Sequence, residues 1–233
     1  MTAAVMAVIL AAGAGRRLGG VAKALLHDRR GRTFLAAVHE TVRSAGVERC
    51  IVVTGQPHGE EIGKEAARHG LPVIVNDDPG RGMASSVALG FEHALRHHAS
   101  CHYALLWPVD HPHVQVATVA AIVALASPQS ITIPTYRGRG GHPTGFGHDL
   151  WQDLAACVTA PQGARSVIRM VEARQPARVH RIDVPDAGVV SDIDTPRELD
   201  ALEAREAREA REARANDAES QALEALESSR RAE

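Results

Sequence analysis

Between Leu10 and Lys23 the chain reads Ala11-Ala12-Gly13-Ala14-Gly15-Arg16-Arg17-Leu18-Gly19-Gly20-Val21-Ala22, a run whose small residues leave the main chain uncovered. Such a backbone can turn tightly and offer its N–H groups to an anion, and Arg16, Arg17 and Lys23 add the positive charge that phosphate oxygens pair with. The chemistry this stretch can do is to cradle a triphosphate; a glycine-rich strand-to-helix turn with surface basic residues is the bland alternative. Two common phosphate motifs do not fit. A P-loop requires Lys directly after its second Gly and then Ser or Thr, whereas Val21 and Ala22 separate Gly20 from Lys23, and Ala24 follows. A dinucleotide fingerprint begun at Gly13 and Gly15 requires glycine at position 18, which is Leu18.

The second group of interest is a carboxylate. Tyr103 to Val109 is mostly apolar and delivers Asp110 between Pro108 and Pro112. An ionised Asp at the end of a buried strand needs a cation, and Mg²⁺ bridging nucleotide phosphates suits one or two carboxylates; the other reading is a cap for the following helix. His111 and His113 sit beside prolines without a third ligand and read as loop residues rather than a zinc site. Asp192 and Asp194 alternate before Thr195-Pro196, so in an extended chain both point the same way. One of them can complete a metal site while the other holds backbone at a helix cap. Ser85 and Ser86 follow the loop through Gly80 and fall at a helix N-terminus, where hydroxyls serve a ligand or simply cap. The stretch Tyr136 to Gly147, containing Gly141-His142-Pro143, is rich in glycine and basic, which suits a second anionic ligand or a mobile surface hairpin.

These residues need a frame that brings strand ends together. Val5 to Leu10 reads as a buried strand, residues 32–45 as a helix ended by Gly46, and residues 49–54 as a β-branched strand. A polar helix over 60–69, a strand over 72–76, a helix over 83–96, a strand from 103 and a helix over 114–126 follow, with later strands over 130–135 and 179–184 and a helix over 163–172. Residues 136–147 are expected to be irregular. Strands alternating with helices predict an α/β fold around a parallel sheet. Residues 1–202 are expected to form one domain. From Glu203 to Arg214 the triplet Glu-Ala-Arg repeats four times without an apolar stripe, so residues 203–233 are expected to be a charged helical or frayed tail.

Composition narrows the partners. A chain of 233 residues with net charge −2 lacks the basic excess of a nucleic-acid or membrane-surface binder, so phosphate recognition has to be local. Cys50, Cys101 and Cys157 are isolated and odd in number, which favours a reducing compartment over a disulfide framework. Without a basic leader or an apolar run near the roughly 18–20 residues of a membrane span, a cytoplasmic protein is expected.

Taken in order, Leu10-Ala11-Ala12-Gly13 with Arg16, Arg17, Gly19 and Lys23; Asn76, Gly82, Ser86-Val87 and Gly90; Pro108-x-Asp110-x-Pro112; Gly141-His142-Pro143-x-x-Phe146; and Asp192-Ile193-Asp194-Thr195-Pro196 resemble the molybdopterin nucleotidyltransferases from Val5 to about Leu202. The resemblance implies a three-layer, Rossmann-like, mostly parallel sheet of the nucleotide-diphospho-sugar transferase type. It implies attack of an acceptor phosphate on a nucleotide α-phosphorus, with pyrophosphate leaving. On that basis Arg16, Lys23 and Asp110 are the catalytic residues; Ala11, Ala12, Gly13, Ala14, Gly15, Arg16, Arg17, Lys23, Gly80 and Ser86 bind nucleotide. Gly141, His142 and Pro143 line the acceptor pocket, and Asp110 with Asp192 or Asp194 holds Mg²⁺. Ala-Ala-Gly at the loop start resembles the cytidylyltransferase branch, which favours CTP, a phosphorylated pterin as acceptor and a molybdoenzyme as recipient. Related sheets serve other phosphorylated metabolites, and GTP use or a non-turnover cofactor carrier are the competing readings.

Overall fold

Six consecutive buried residues, Val5–Leu10, form strand β1, and they read as a continuous apolar run because both faces of the strand are covered. β1 pairs in parallel with β2 (Arg49–Gly55) on one side and β4 (Tyr103–Pro108) on the other, with Leu10 opposite both Val53 and Pro108. β3 (Val73–Asn76) extends this parallel block beyond β2. Between the strands lie α1 (Phe34–Ser44), α2 (Gly59–Arg68), α3 (Met83–His97) and α4 (Val116–Ala124). The Thr33 hydroxyl caps α1 by accepting the Ala36 N–H at 3.1 Å.

Beyond β4 the chain adds β5 (Ile131–Tyr136), β6 (Arg139–Gly140), β7 (Thr144–Gly147), α5 (Trp151–Ala155), α6 (Ala164–Arg174) and β8 (Val179–Asp183). The computed structural model describes residues 4–13, 15, 19–160, 162–193, 195, 197, 198, 200, 201, 204 and 208. Among them an eight-stranded sheet runs β3-β2-β1-β4-β7-β5-β6, with β8 also paired to β5. The α/β architecture is therefore the one the alternation of strands and helices predicts, and the mostly parallel sheet is the one the resemblance implies.

Residues 136–147 depart from the expected irregular loop. β6 pairs with the end of β5, and β7 lies centrally, antiparallel to both β4 and β5. Its glycines answer close approach rather than flexibility: a Cβ on Gly145 would lie 2.2 Å from the Tyr103 hydroxyl, and one on Gly147 would lie 2.2 Å from the Pro128 carbonyl. Because β7 is reversed, its first residue, Thr144, lies opposite Leu106 near the carboxyl end of β4.

The segment before Thr195, read as extended from its alternating aspartates, forms no strand among the described residues. Ala187–Val190 forms a 3-10 turn and residues 191–193 pair with no strand. The buried Asp186 carboxylate, to which no sequence motif points, dictates this. It accepts the N–H groups of Gly188 at 2.9 Å and Gln115 at 2.8 Å and the Thr118 hydroxyl at 2.7 Å, tying the turn to the start of α4.

On one face of the sheet, Phe91 of α3 meets Phe146 and Trp151 edge to face, with centroids 6.2 and 6.0 Å apart. Two units divide the chain, Met1–Asp194 and Thr195–Glu233. In the second, Thr195 accepts the Glu198 N–H through its hydroxyl at 3.2 Å, and the described residues 197, 198, 200, 201, 204 and 208 are helical. Among the described residues no helix is long and apolar enough to cross a membrane.

α3 rests on the sheet through Gly90, where a Cβ would lie 2.6 Å from Val8 Cγ1 and 3.2 Å from Val53 Cγ2. Gly90→Ala is expected to lower unfolding stability by about 1–3 kcal/mol through overpacking, read from urea denaturation. An unchanged midpoint would show that the helix seats with slack.

Candidate functional site

At the carboxyl edge of the sheet the loops after β1 and β4 leave side by side. The Val109 N–H donates to Leu10 at 3.0 Å, which prolongs the ladder past β4, and the Ala11 N–H donates to Val53 at 2.8 Å. Ala11 is thereby spent as a donor. Ala12, Gly13 and Gly15 make no main-chain N–H bond among the described residues, so the donors available to a ligand begin at Ala12. Gly15 has φ +58°, and a Cβ there would lie 1.8 Å from the Val21 carbonyl, so the loop closes on itself only with glycine at that position.

These loops border a cleft of about 680 Å³, within the range of small-molecule sites. Ala11, Ala12, Gly13, Gly15, Lys23, Gly80, Ser86 and Asp110, all anticipated from the sequence, line it together. Ala14, Arg16, Arg17 and Asp194 lie outside the described residues. Gln56 and Pro57, which follow β2 directly, and Met83, the first residue of α3, also line the cleft and were not anticipated. Their signal is position, since each stands at the end of the sheet where ligands of open α/β folds bind.

Lys23 opens a short 3-10 turn, Lys23–Leu25, and its Nζ donates to Asp110 Oδ2 at 2.7 Å. Both side chains are only 19% exposed, so the pair is partly desolvated. The hairpin behind Lys23 is pinned by Asp28, whose carboxylate accepts the N–H groups of Arg30 and Arg32, each at 2.9 Å, and the Arg32 guanidinium. Burial pushes the Asp28 carboxyl up, but these Arg32 contacts outweigh it and hold the group below its ordinary value.

Among the described residues, Asp110 Oδ1 is buried and has no hydrogen-bond partner, and His111 Nε2 lies 4.0 Å from it. A carboxylate oxygen with unspent lone pairs fits a hard divalent cation, which needs only one or two protein carboxylates beside phosphate and water. Asp192 is exposed, and its neighbour Ile193 donates its N–H to the Asp110 carbonyl at 3.0 Å, so the two aspartates belong to adjacent segments. Among the described residues no group of three or more His, Cys, Asp or Glu side chains forms a closed metal cage. His111 serves the loop instead. It is buried, its Nδ1 lies 3.2 Å from the Gly188 carbonyl, and its own carbonyl accepts the Trp107 indole N–H.

A second cavity of about 260 Å³ lies under the hairpin. Gly141 and His142 line it as anticipated, whereas Pro143 lines neither cavity. Arg165 and Arg169 of α6 and Arg181 of β8 add positive charge that no sequence motif singles out, and Arg181 is paired with Glu172 at 2.6 Å. A Cβ on Gly141 would lie 2.1 Å from the Val189 carbonyl, which explains why glycine begins this motif. The His142 and His111 rings stand 5.0 Å apart, so one histidine pair connects the second cavity to Asp110.

Residues 7–179 match the MobA-like NTP transferase domain family. The chain is 32% identical over 202 residues to the nicotine blue oxidoreductase of Paenarthrobacter nicotinovorans, covering 84% of this chain and 94% of that protein. It is 28% identical over 199 residues to the purine catabolism protein PucB of Bacillus subtilis (strain 168), covering 83% and 93%. Among solved structures, Rv0371c of Mycobacterium tuberculosis H37Rv superposes with a TM-score of 0.71 at 27% identity, over 87% of this chain and 98% of that one. The same protein has been solved in complex with manganese, with a TM-score of 0.66 at 27% identity, over 85% and 97%.

Burial, with a smaller contribution from the neighbouring His111, drives the His142 pKa down to about 3 from 6.5. The folded state therefore holds this ring neutral where the unfolded chain protonates it. Stability is fully present above about pH 6.5 and falls as pH drops toward 3, by on the order of 1–2 kcal/mol between pH 7 and 5. His142→Gln is expected to shallow that slope in urea denaturation at the two pH values, with His39, His93 and His98, whose pKa values are also lowered, supplying what remains. An identical slope would remove His142 from the acid response.

Proposed function

The chain belongs to the MobA-like NTP transferase family, and we propose that its reaction is transfer of CMP from CTP to a phosphorylated pterin-type acceptor, molybdopterin or the molybdenum cofactor, with release of pyrophosphate. The observation that carries this reading is the Lys23–Asp110 pair, a cation and a carboxylate lining the same cleft as a loop whose Ala12, Gly13 and Gly15 N–H groups make no main-chain bond among the described residues.

In the reaction an acceptor phosphate oxygen forms a bond to the α-phosphorus while the bond from that phosphorus to the bridging oxygen breaks, and pyrophosphate carries away the electron pair. No side-chain base is needed, because a phosphate nucleophile is already ionised near neutral pH. The N–H groups of Ala12, Gly13 and Gly15 bind the triphosphate, with Arg16 and Arg17 as further cations on the same stretch. Lys23 exchanges its Asp110 partner for a phosphate oxygen and stabilises the charge that grows on the leaving pyrophosphate. Asp110, with Asp192 or Asp194, would hold Mg²⁺, which would supply charge neutralisation at the phosphates; manganese in the complex of Rv0371c supports a divalent ion. Ser86 and the loop at Gly80 meet the base. Gly141 and His142, with Arg165 and Arg169, hold the acceptor on the far side of the His111–His142 pair.

CTP is favoured by Ala-Ala-Gly at the loop start, and the pterin by Gly141-His142-Pro143. A second reading follows from the relative named nicotine blue oxidoreductase, in which the cleft would serve a redox nucleotide. Leu18, where a dinucleotide fingerprint carries glycine, weighs against it.

Pyrophosphate release with Mg²⁺ and molybdopterin is expected with CTP and far less with GTP or ATP. GTP preference would overturn the base assignment, and release only with another acceptor would overturn the pterin. Silence with every acceptor beside oxidation of a nicotinamide cofactor would favour the redox reading. Asp110→Asn is expected to lower turnover by about 100-fold or more while the unfolding midpoint shifts little. Lys23→Met is expected to weaken CTP binding and turnover together. Removal of residues 203–233 should leave pyrophosphate release near the full-length rate, since that segment carries none of the proposed site.

A further inference from the structure

We propose that Asn76 is a positioning residue that fixes the Ser86 hydroxyl as a hydrogen-bond donor aimed at an acceptor atom of the nucleobase, a reading that rests on nucleotide binding in the cleft. Asn76 ends β3 and is buried, as are Ser85 and Ser86 in the first turn of α3. The direction of its amide is set by the backbone. Oδ1 accepts the Asp78 N–H at 3.1 Å, so Nδ2 is the end that faces the helix.

The hydrogens can then be counted. Nδ2 carries two, and it lies 2.8 Å from Ser85 Oγ and 2.9 Å from Ser86 Oγ, so both are spent and both serine oxygens act as acceptors. Each hydroxyl keeps one hydrogen of its own. The Ser85 hydrogen goes to the Gly82 carbonyl at 2.8 Å, which closes that side chain into the helix cap. The Ser86 hydroxyl hydrogen has no acceptor among the described residues, and Ser86, unlike Ser85, lines the cleft. One serine hydrogen is thus spent inside the protein, and the other serine keeps an unspent hydroxyl hydrogen at the cleft.

A donor fixed in this way selects for a ring nitrogen or a carbonyl oxygen at that point of the ligand. Ordering the hydroxyl on binding costs less than for an unconstrained serine, since the Asn76 amide occupies one of the two oxygen lone pairs and turns the hydrogen away from itself. Without Asn76 the hydroxyl would lose that constraint, and affinity for an acceptor atom at this point would fall.

Asn76→Asp keeps the shape and the contact to the Asp78 N–H but offers no hydrogens, so the Ser86 hydrogen turns back to the carboxylate. Calorimetric titration of the full chain with CTP and with inorganic triphosphate reads the effect. Asn76→Asp and Ser86→Ala are each expected to weaken CTP binding by about ten-fold, and the double variant to lose no more than either alone. Inorganic triphosphate, which has no base, is expected to bind all of them within about two-fold of the wild type. Ser85→Ala is expected to lower the melting temperature and leave CTP affinity unchanged. Should Asn76→Asp not fold, Ser86→Ala with the two ligands still decides the matter. CTP affinity unchanged in Ser86→Ala, equal losses for CTP and triphosphate, or additive losses in the double variant would overturn the proposal. A wild-type chain that binds neither ligand overturns the transferase reading and this one with it, whereas CTP binding indifferent to Asn76 and Ser86 overturns this one alone.

Discussion

The register between β1 and β4 is the constraint from which the site follows. Leu10 stands opposite Pro108, and the Val109 N–H reaches back to Leu10, so the two chains leave the sheet at the same level. The glycine-rich loop and Asp110 are then neighbours although about a hundred residues separate them. A slip of one position would turn the apolar side chains of a strand buried on both faces and carry Asp110 away from Lys23. The core that resists such a slip is the same one that seats α3, so the lip bearing Ser86 is held by the packing that holds the opposite lip.

Within this frame the Lys23–Asp110 pair is poised rather than stabilising. Two partly buried charges give up much of their hydration, and their attraction roughly offsets that cost. What the pair supplies is polarity at the cleft: a lysine ammonium held against one carboxylate oxygen, and a second oxygen unspent among the described residues. Asp186 shows the contrasting use of the same side chain. It is buried, bonded to three donors and closed to further partners, which suits a staple and not a site.

Much of this is legible in the sequence, and the exceptions have physical causes. Strands buried on both faces, such as Val5–Leu10 and Tyr103–Pro108, announce themselves as unbroken apolar runs, and the loops that follow them carry about half of the cleft residues, Lys23 and Asp110 among them. Residues 136–147 mislead because glycine has two uses, freedom in a loop and close approach in a strand, and only the neighbours Tyr103 and Pro128 reveal the second. The alternation of Asp192 and Asp194 suggests a strand because nothing local betrays the bonds from Asp186 to α4 that turn the chain instead. Arg165, Arg169 and Arg181 are scattered over a helix and a strand and gather at one cavity only through tertiary packing.

The reversed strand β7 has a consequence for how this architecture can diversify. In a wholly parallel sheet every contribution to the carboxyl edge comes from a loop leading into a helix, so changing its length disturbs the layer that covers the sheet. β7 enters the sheet from that edge, and residues 137–143 reach it through a hairpin with no helix attached. The exposed tip of that hairpin, residues 137–140, is thus a part of the molecule where length and composition can vary without re-packing a layer, while Gly141 stays fixed against Val189. Different small-molecule preferences could evolve there on an unaltered scaffold, one hairpin at a time.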